Sequence, residues 1–323
     1  MKAYVLTETG PKLIEAEPPK PGPAEVLVRV RAAALNRVDL AMTRGHVHGR
    51  AGGVGAVLGL EWAGEVVEAG PEAQGFGVGQ RVMGSGAGAF AEYAVADAGA
   101  VWAIPDADIS FEAAAALPVA LRTMHDAVVT NGALQPGQAV LINGASSGVG
   151  LMGVQIAKAM GAAFVAGSST NPGRRERLGE FGADLAVDPN DAGWVDQVLQ
   201  ATEKRGVDLV VDQVSGPGFR QVMQATRIGG RIVNVGRLGG DRADFDFDLH
   251  ALRRLTYVGV TFRTRSRVEV REVGRRARAD LFSHLEAGRL TLPIDAVYPL
   301  DDIEAALAHM KANAHFGKIV ITV

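Results

Sequence analysis

A two-part α/β protein, one part β-rich and the other a doubly wound parallel sheet between helices, is the architecture expected of these 323 residues. Three observations lead there. Up to about residue 110, short apolar alternations are cut by Gly and Pro. From about 111, wholly apolar strand-length runs alternate with helix-length segments, and near Gly288 the short strands and turns return. Alternation marks strands with one wet face, whereas strands apolar on both sides and separated by helices imply a parallel sheet covered on both faces. The expected division is a β-rich part over 1–116, completed by 288–323, and a doubly wound part over 117–287.

Taken along the chain, the runs 26–32, 65–69, 80–83 and 90–95 are strand-length and bounded by turn formers. The segment 45–59 carries six glycines and reads as a mobile loop, either the mouth of a site or a surface insertion. Ser110 opens an Ala-rich helix that Pro118 interrupts. Apolar strands then follow at 139–142, 162–166, 185–187, 207–211 and 231–235, with another at 256–262. Ser266 and Glu269 have capping-box spacing ahead of a helix with Val270, Val273, Ala277 and Leu281 on one side. Asp301 and Glu304 repeat that spacing before a last helix, and strands at 298–300 and 318–323 rejoin the β-rich part.

Composition narrows the chemistry. Thirty-three Lys and Arg stand against 36 Asp and Glu, a net charge of −3, without the basic excess of a nucleic-acid binder. The nine arginines between Arg253 and Arg278 could meet RNA, but Glu269, Glu272 and Asp280 interrupt them, and a solvated helix face is the favoured reading. With no Cys, disulfides, thiol nucleophiles and cysteine-bearing zinc sites are excluded. The N-terminal apolar stretch is broken by Glu8, and no run approaches the roughly 18 apolar residues of a membrane helix. The expectation is a cytoplasmic protein without a membrane partner.

The most informative segment is 140–161. A buried strand runs into the small-residue turn Gly144-Ala145-Ser146-Ser147, and a helix begins at Gly148-Val149-Gly150. Small side chains let a backbone approach a diphosphate, and the free N–H groups and positive end of a helix stabilise its charge. Without a ligand, the same residues make a tight strand-to-helix turn. The second strand ends in Ser168 and Ser169, followed by Arg174 and Arg175, with no acid to accept from a ribose 2′-hydroxyl. Hydroxyls and guanidiniums there favour a 2′-phosphate, hence NADPH, over two solvated arginines on the first turn of a helix.

These residues resemble the medium-chain dehydrogenase/reductase superfamily in its zinc-free quinone oxidoreductase, or zeta-crystallin-like, branch. The likeness covers essentially the whole chain. It is carried by Gly137-Gln138, Leu141, Ala145-Ser146, Gly148, Gly150, Gln155 and Lys158, with Ser147 where the family usually has Gly. Asn36-Arg37-Val38-Asp39, Thr123, Val235-Gly236 and His315-Phe316-Gly317-Lys318 match as well. The resemblance implies a GroES-like domain joined to a Rossmann domain, with a dry cleft between them. It also implies hydride transfer from NADPH to a small-molecule quinone or related conjugated carbonyl. An enoyl-thioester or alkenal double-bond reductase is the nearest alternative, and a non-catalytic NADPH-binding protein with an RNA-binding or structural role is a further one.

By the same resemblance, Ser146, Ser147, Gly148 and Val149 cradle the pyrophosphate, and Ser168, Ser169 and Arg174 lie near the 2′-phosphate. Asn36, Thr123, Val235, Gly236 and Arg237 line the nicotinamide, while Phe316, Gly317 and Lys318 close over the cofactor. The Tyr of many relatives is missing near Val47, so His48 is the candidate proton donor, against the reading of an inert loop histidine. Glu61 follows Leu60 where zinc-dependent relatives have His, so no metal is expected and Glu61 is structural. His46 and His48 have no evident third ligand. The strand at 256–262 is the edge through which two subunits would join as a homodimer.

Overall fold

A computed structural model describes residues 1–105 and 108–323. Its strands are β1 (Lys2–Thr7), β2 (Gly10–Glu15), β3 (Glu25–Ala34), β4 (Glu61–Ala69), β5 (Arg81–Ser85), β6 (Tyr93–Asp97), β7 (Val101–Ala103), β8 (Ala139–Asn143), β9 (Phe164–Ser168), β10 (Leu185–Val187), β11 (Val207–Asp212), β12 (Thr226–Asn234), β13 (Thr256–Gly259), β14 (Ile294–Pro299) and β15 (Lys318–Thr322). The chain divides into two compact units, residues 1–119 with 262–323 and residues 120–261.

Unit 1 is built on a seven-stranded sheet in the order β14-β15-β3-β4-β5-β7, with β6 pairing β3 off that path and β1-β2 forming a separate hairpin. The long strand β3 pairs antiparallel with β4, β6 and β15, so the C-terminal strand is stitched into the first part of the chain. Val26, Val28 and Val30 of β3, Trp62 and Val66 of β4, and Ile319 and Ile321 of β15 are buried in one core with Leu58 and Phe90. Alternation supplies that core from one side of each strand.

Unit 2 carries an all-parallel six-stranded sheet in the order β10-β9-β8-β11-β12-β13. Leu141, Ala166, Val210 and Ile232 come from its central strands and are buried against Trp194, Val198, Phe219 and Met223 of the flanking helices. The near-continuous apolar strands are therefore those enclosed on both faces, as their composition requires.

Four expectations need correction. The helix Arg267–Glu286 belongs with unit 1, not with the doubly wound part to residue 287, because it packs on the short 3-10 turn Ala98–Ala100 and Arg271 pairs with Asp97 at 2.8 Å. The segment 45–59 is not a free loop. Leu6 and Leu58 donate to the carbonyls of Ala56 and Tyr4 at 3.1 and 2.9 Å, tying its second half to β1. Its glycines answer backbone demands instead: Gly52 and Gly59 have φ of +88° and +92°, and a Cβ there would stand 2.6 Å from the His46 carbonyl oxygen and 2.8 Å from Phe90 N. Asp301 caps nothing. It lies in a 3-10 turn and pairs with Lys2 at 2.9 Å, and the helix Ile303–Ala312 follows Asp302 without a side-chain cap. Finally, the N-terminal apolar stretch is the strand β1, paired with β2.

The other sequence signals appear as expected. Ser110 caps the helix Phe111–Ala115, and Pro118 begins the next one, Pro118–His125. The capping box of Ser266 and Glu269 is formed, and Val273, Ala277 and Leu281 are buried beneath that helix. Most of its arginines are engaged in ion pairs: Arg267 with Glu25, Arg271 with Asp97, and Arg275 and Arg276 with Glu272.

Candidate active site

Unit 2 gathers polar residues at one end of its sheet. Asn143, Asp212 and Asn234 are the last residues of β8, β11 and β12 and stand in register beside one another, while Ser168 ends β9. Each closes an apolar run. Polar groups therefore line the carboxyl ends of the four central strands, where β8 has β9 on one side and β11 on the other. In open α/β sheets, ligands bind at this reversal of strand order.

Between β8 and the helix Gly148–Ala159 lies the turn 144–147. Ser147 is the N-cap: its Oγ accepts from the Gly150 N–H at 3.0 Å and lies 3.2 Å from both the Gly144 carbonyl and Gln213 Oε1. Gln213 Nε2 donates to the same carbonyl at 3.1 Å. Gly150 is required by close packing, since a Cβ there would lie 2.5 Å from the Gly144 oxygen. A helix leaves its first N–H groups without intrahelical partners. With that of Gly150 capped, those of Gly148 and Val149 have none among the described residues, and they begin a helix of 12 residues. A small-residue turn, unspent N–H groups and the positive end of a helix fit a diphosphate.

Around this turn, Ser169 Oγ donates to Ser146 Oγ at 2.9 Å, and the half-buried Arg174 lies in the helix Pro172–Glu176. Arg175 is committed to the fold, at 2.8 Å to the Ser169 carbonyl and 3.0 Å to Asp188. The backbones of Val235 and Gly236 donate to the Asp212 carbonyl at 2.8 and 3.2 Å, and Arg237 is exposed beside them. Thr123 is half-buried on the helix Pro118–His125.

In unit 1 the expected residues form a buried polar cluster. Lys318, 4% exposed, donates to the Leu35 carbonyl at 2.9 Å, to Asn36 Oδ1 at 3.1 Å and to the fully buried Glu61. Asn36 Nδ2 donates to Glu61 at 2.9 Å, and the Val119 N–H donates to the other Glu61 oxygen at 2.8 Å. Asp39 Oδ2 accepts from the Asn36 N–H at 2.6 Å. Burial pushes the Asp39 carboxyl up to about 7, against the pull of the Asn36 N–H and the Lys318 ammonium, with Glu61 adding to the rise. All three ammonium hydrogens of Lys318 have acceptors here, so the charge expected to close over a cofactor holds Glu61 instead. Phe316 is 7% exposed, and Gly317 has a φ of +92° with its Cα close against Pro293.

His48 stands apart from this cluster, half-buried in a short bridge in which its backbone exchanges hydrogen bonds with Ala51 at 2.8 and 3.1 Å. Burial, then Arg263 and His46, lower its pKa, which leaves the imidazole neutral at pH 7.

Two family models match the chain: the alcohol dehydrogenase GroES-like domain over residues 22–106 and the zinc-binding dehydrogenase domain over residues 148–277. The chain is 26% identical to human quinone oxidoreductase, over 94% of itself and 90% of that protein. The chain belongs to the medium-chain dehydrogenase/reductase superfamily, in its quinone oxidoreductase branch. The solved quinone oxidoreductase of Pseudomonas syringae pv. Tomato DC3000 superposes over the full length of both chains with a TM-score of 0.84 at 25% identity. A subunit of the Mycobacterium tuberculosis phenolphthiocerol/phthiocerol polyketide synthase is 32% identical over 94% of this chain, which spans only 14% of that synthase. Membership in the superfamily brings an NAD(P)-binding fold and the oxidoreductase class.

The name of the second family model raises the question of zinc, and the donor set does not fit it. The chain has no Cys, the Glu61 carboxylate is held by an ammonium, an amide and an N–H, and no group of three His, Asp or Glu among the described residues could hold a metal ion. Nor is any described helix long and apolar enough to cross a membrane.

Of the residues that sequence reasoning singled out, the structure brings together the turn 144–149, Ser168, Ser169 and 235–237 in unit 2, and Asn36 with Lys318 in unit 1. Asn143, Asp212 and Gln213 were missed. A polar residue closing each of several apolar strands was the signal that could have found the first two.

Proposed function

We propose that this chain is an NADPH-dependent, metal-independent reductase that passes hydride to a quinone or related conjugated carbonyl. The observation that carries this reading is the cradle at the end of β8, where the Gly148 and Val149 N–H groups begin a helix beside a turn of small residues. Ser146, Ser147, Gly148 and Val149 would hold the diphosphate. Ser169 and Arg174 would meet the 2′-phosphate, since no carboxylate closes β9 to accept from a free ribose hydroxyl. Thr123, Val235, Gly236 and Arg237 are the proposed neighbours of the nicotinamide in unit 2. The roles implied for Asn36, Phe316, Gly317 and Lys318 rest on the resemblance alone, and for Lys318 they exclude its spent ammonium.

When bound, the cofactor supplies the hydride, so the chain's own task is to bind, orient and exclude water. His48, neutral near pH 7, would serve as a hydrogen-bond donor to a developing oxyanion and not as an acid. The likeness to human quinone oxidoreductase supports a quinone acceptor. The 32% identity to part of a polyketide synthase supports the second reading, reduction of an enoyl thioester. A homodimer through the edge strand β13 is proposed as well.

Initial rates with NADPH or NADH against a quinone, a crotonyl thioester and a 2-alkenal test the reading. Turnover of quinone with NADPH supports it, preference for the thioester moves the assignment to the second reading, and inactivity on all three defeats both. Arg174→Ala should raise KM for NADPH about tenfold, on the order of 1.4 kcal/mol, and leave that for NADH nearly unchanged.

A further inference from the structure

Four serines surround the proposed diphosphate turn, and their hydrogen bonds divide them into two kinds. The division begins at Asp212, fully buried at the end of β11. A carboxylate only accepts, and Asp212 Oδ1 takes Asn143 Nδ2 at 2.8 Å and the N–H groups of Val214 and Ser215 at 2.9 and 3.0 Å. This decides which way the Asn143 amide is turned: its NH2 faces β11 and its oxygen faces β9. Asn143 Oδ1 therefore accepts, and it takes the Ser168 hydroxyl hydrogen at 2.7 Å. With its hydrogen spent, Ser168 Oγ accepts the N–H of Gly144, the first residue of the turn, at 2.9 Å. Ser168 is 2% exposed, Asn143 6% and Asp212 0%, so water does not compete along the line.

Ser147 is likewise consumed, capping Gly150 and directing its hydrogen to Gly144 or Gln213. Ser169 spends its hydrogen on Ser146. The half-buried Ser146 accepts that bond, and its own hydrogen has no acceptor among the described residues.

Building on the dinucleotide reading above, we propose that Asp212, Asn143 and Ser168 form an internal relay that positions the Gly144 turn, and that Ser146 is the hydroxyl left to donate to the cofactor. Ser168 is then a positioning residue, not a reader of the 2′-phosphate as the resemblance implied. Discrimination between the two nicotinamide coenzymes falls to Arg174 and Ser169.

Calorimetric titration of the full chain with NADPH and with NADH separates the roles. Ser168→Ala is expected to raise both dissociation constants by the same factor, about tenfold, because the turn it positions serves the diphosphate common to both. Ser168→Thr, which keeps the hydroxyl, should restore both to within about twofold. Ser146→Ala should weaken both coenzymes by about threefold and leave the thermal midpoint unchanged, as expected of a hydroxyl that bonds nothing essential in the fold. If Ser168→Ala does not fold, Ser168→Cys, close in volume and a poor donor, gives the same readout. Loss confined to NADPH would identify Ser168 as a phosphate reader and overturn the proposal, as would unchanged affinity for both coenzymes. Failure of the unsubstituted chain to bind either coenzyme is seen separately in the same titration, and it overturns the functional reading together with this one.

Discussion

Lys318 and Glu61 show how one residue's meaning is settled by its partner. The pair is 4% and 0% exposed, and removing one member leaves the other charge buried without compensation. Lys318→Met should therefore cost about 3 to 5 kcal/mol of stability, and adding Glu61→Gln to the same chain should recover most of it, as read by urea denaturation. Asp39 is the neighbouring case with a pH signature. Its carboxyl is raised from 3.8 to about 7 by burial, so the folded state holds a proton that the unfolded state releases. That contribution is fully present below about pH 4 and is lost as pH rises through 7, to a limit of about 4 kcal/mol. Relative to Asp39→Asn, the unsubstituted chain should lose stability across this window, and denaturation midpoints taken from pH 4 to 8 should diverge in that direction. Parallel curves would show that Asp39 does not titrate there. The sequence displays Asn36, Asp39, Glu61 and Lys318 as isolated motif residues. Their association could not be read there, because 257 residues separate Glu61 from Lys318 along the chain.

At the scale of single elements, local signals served well where the cause was local. Ser110, Ser147, Asn171 and Ser266 all cap the helices that follow them, since a hydroxyl or amide oxygen reaches N–H groups only two or three residues ahead. Asp301 fails as a cap because a tertiary partner, Lys2, holds its carboxylate. The helix Arg267–Glu286 yields a prediction in which propensity and packing oppose each other. Gly→Ala inside a helix ordinarily gains about 1 kcal/mol. A Cβ at Gly274, however, would lie 2.7 Å from the Gly99 carbonyl oxygen, which is backbone and cannot swing aside. Gly274→Ala should thus lower the thermal midpoint, while exposed positions of the same helix tolerate alanine. A rise in the midpoint would mean that the helix shifts freely on the 3-10 turn beneath it.

For the molecule as a whole, the open edge of unit 2 invites a prediction about assembly. β13 pairs with β12 on one side only, and Tyr257 on it and Phe247 and Leu252 nearby are exposed. An edge of this kind is a template for another strand. If the proposed homodimer forms there, sedimentation at micromolar concentration should give twice the mass of one chain, and Thr256→Lys should shift the species toward the monomer. An unaltered dimer would put the interface elsewhere. The sequence by itself determined the alternation of apolar strands with helices, the parallel sheet, the small-residue turn and the absence of a cysteine-based metal site. All of these follow from periodicity, composition or contacts within a few residues. Tertiary structure alone decided that the long arginine-rich helix joins the β-rich unit, that the glycine-dense segment lies against β1, that Lys318 is spent on Glu61, and that Ser168 faces inward. These outcomes depend on which distant groups meet to satisfy buried charge and hydrogen bonds, a matter that spacing along a chain does not encode.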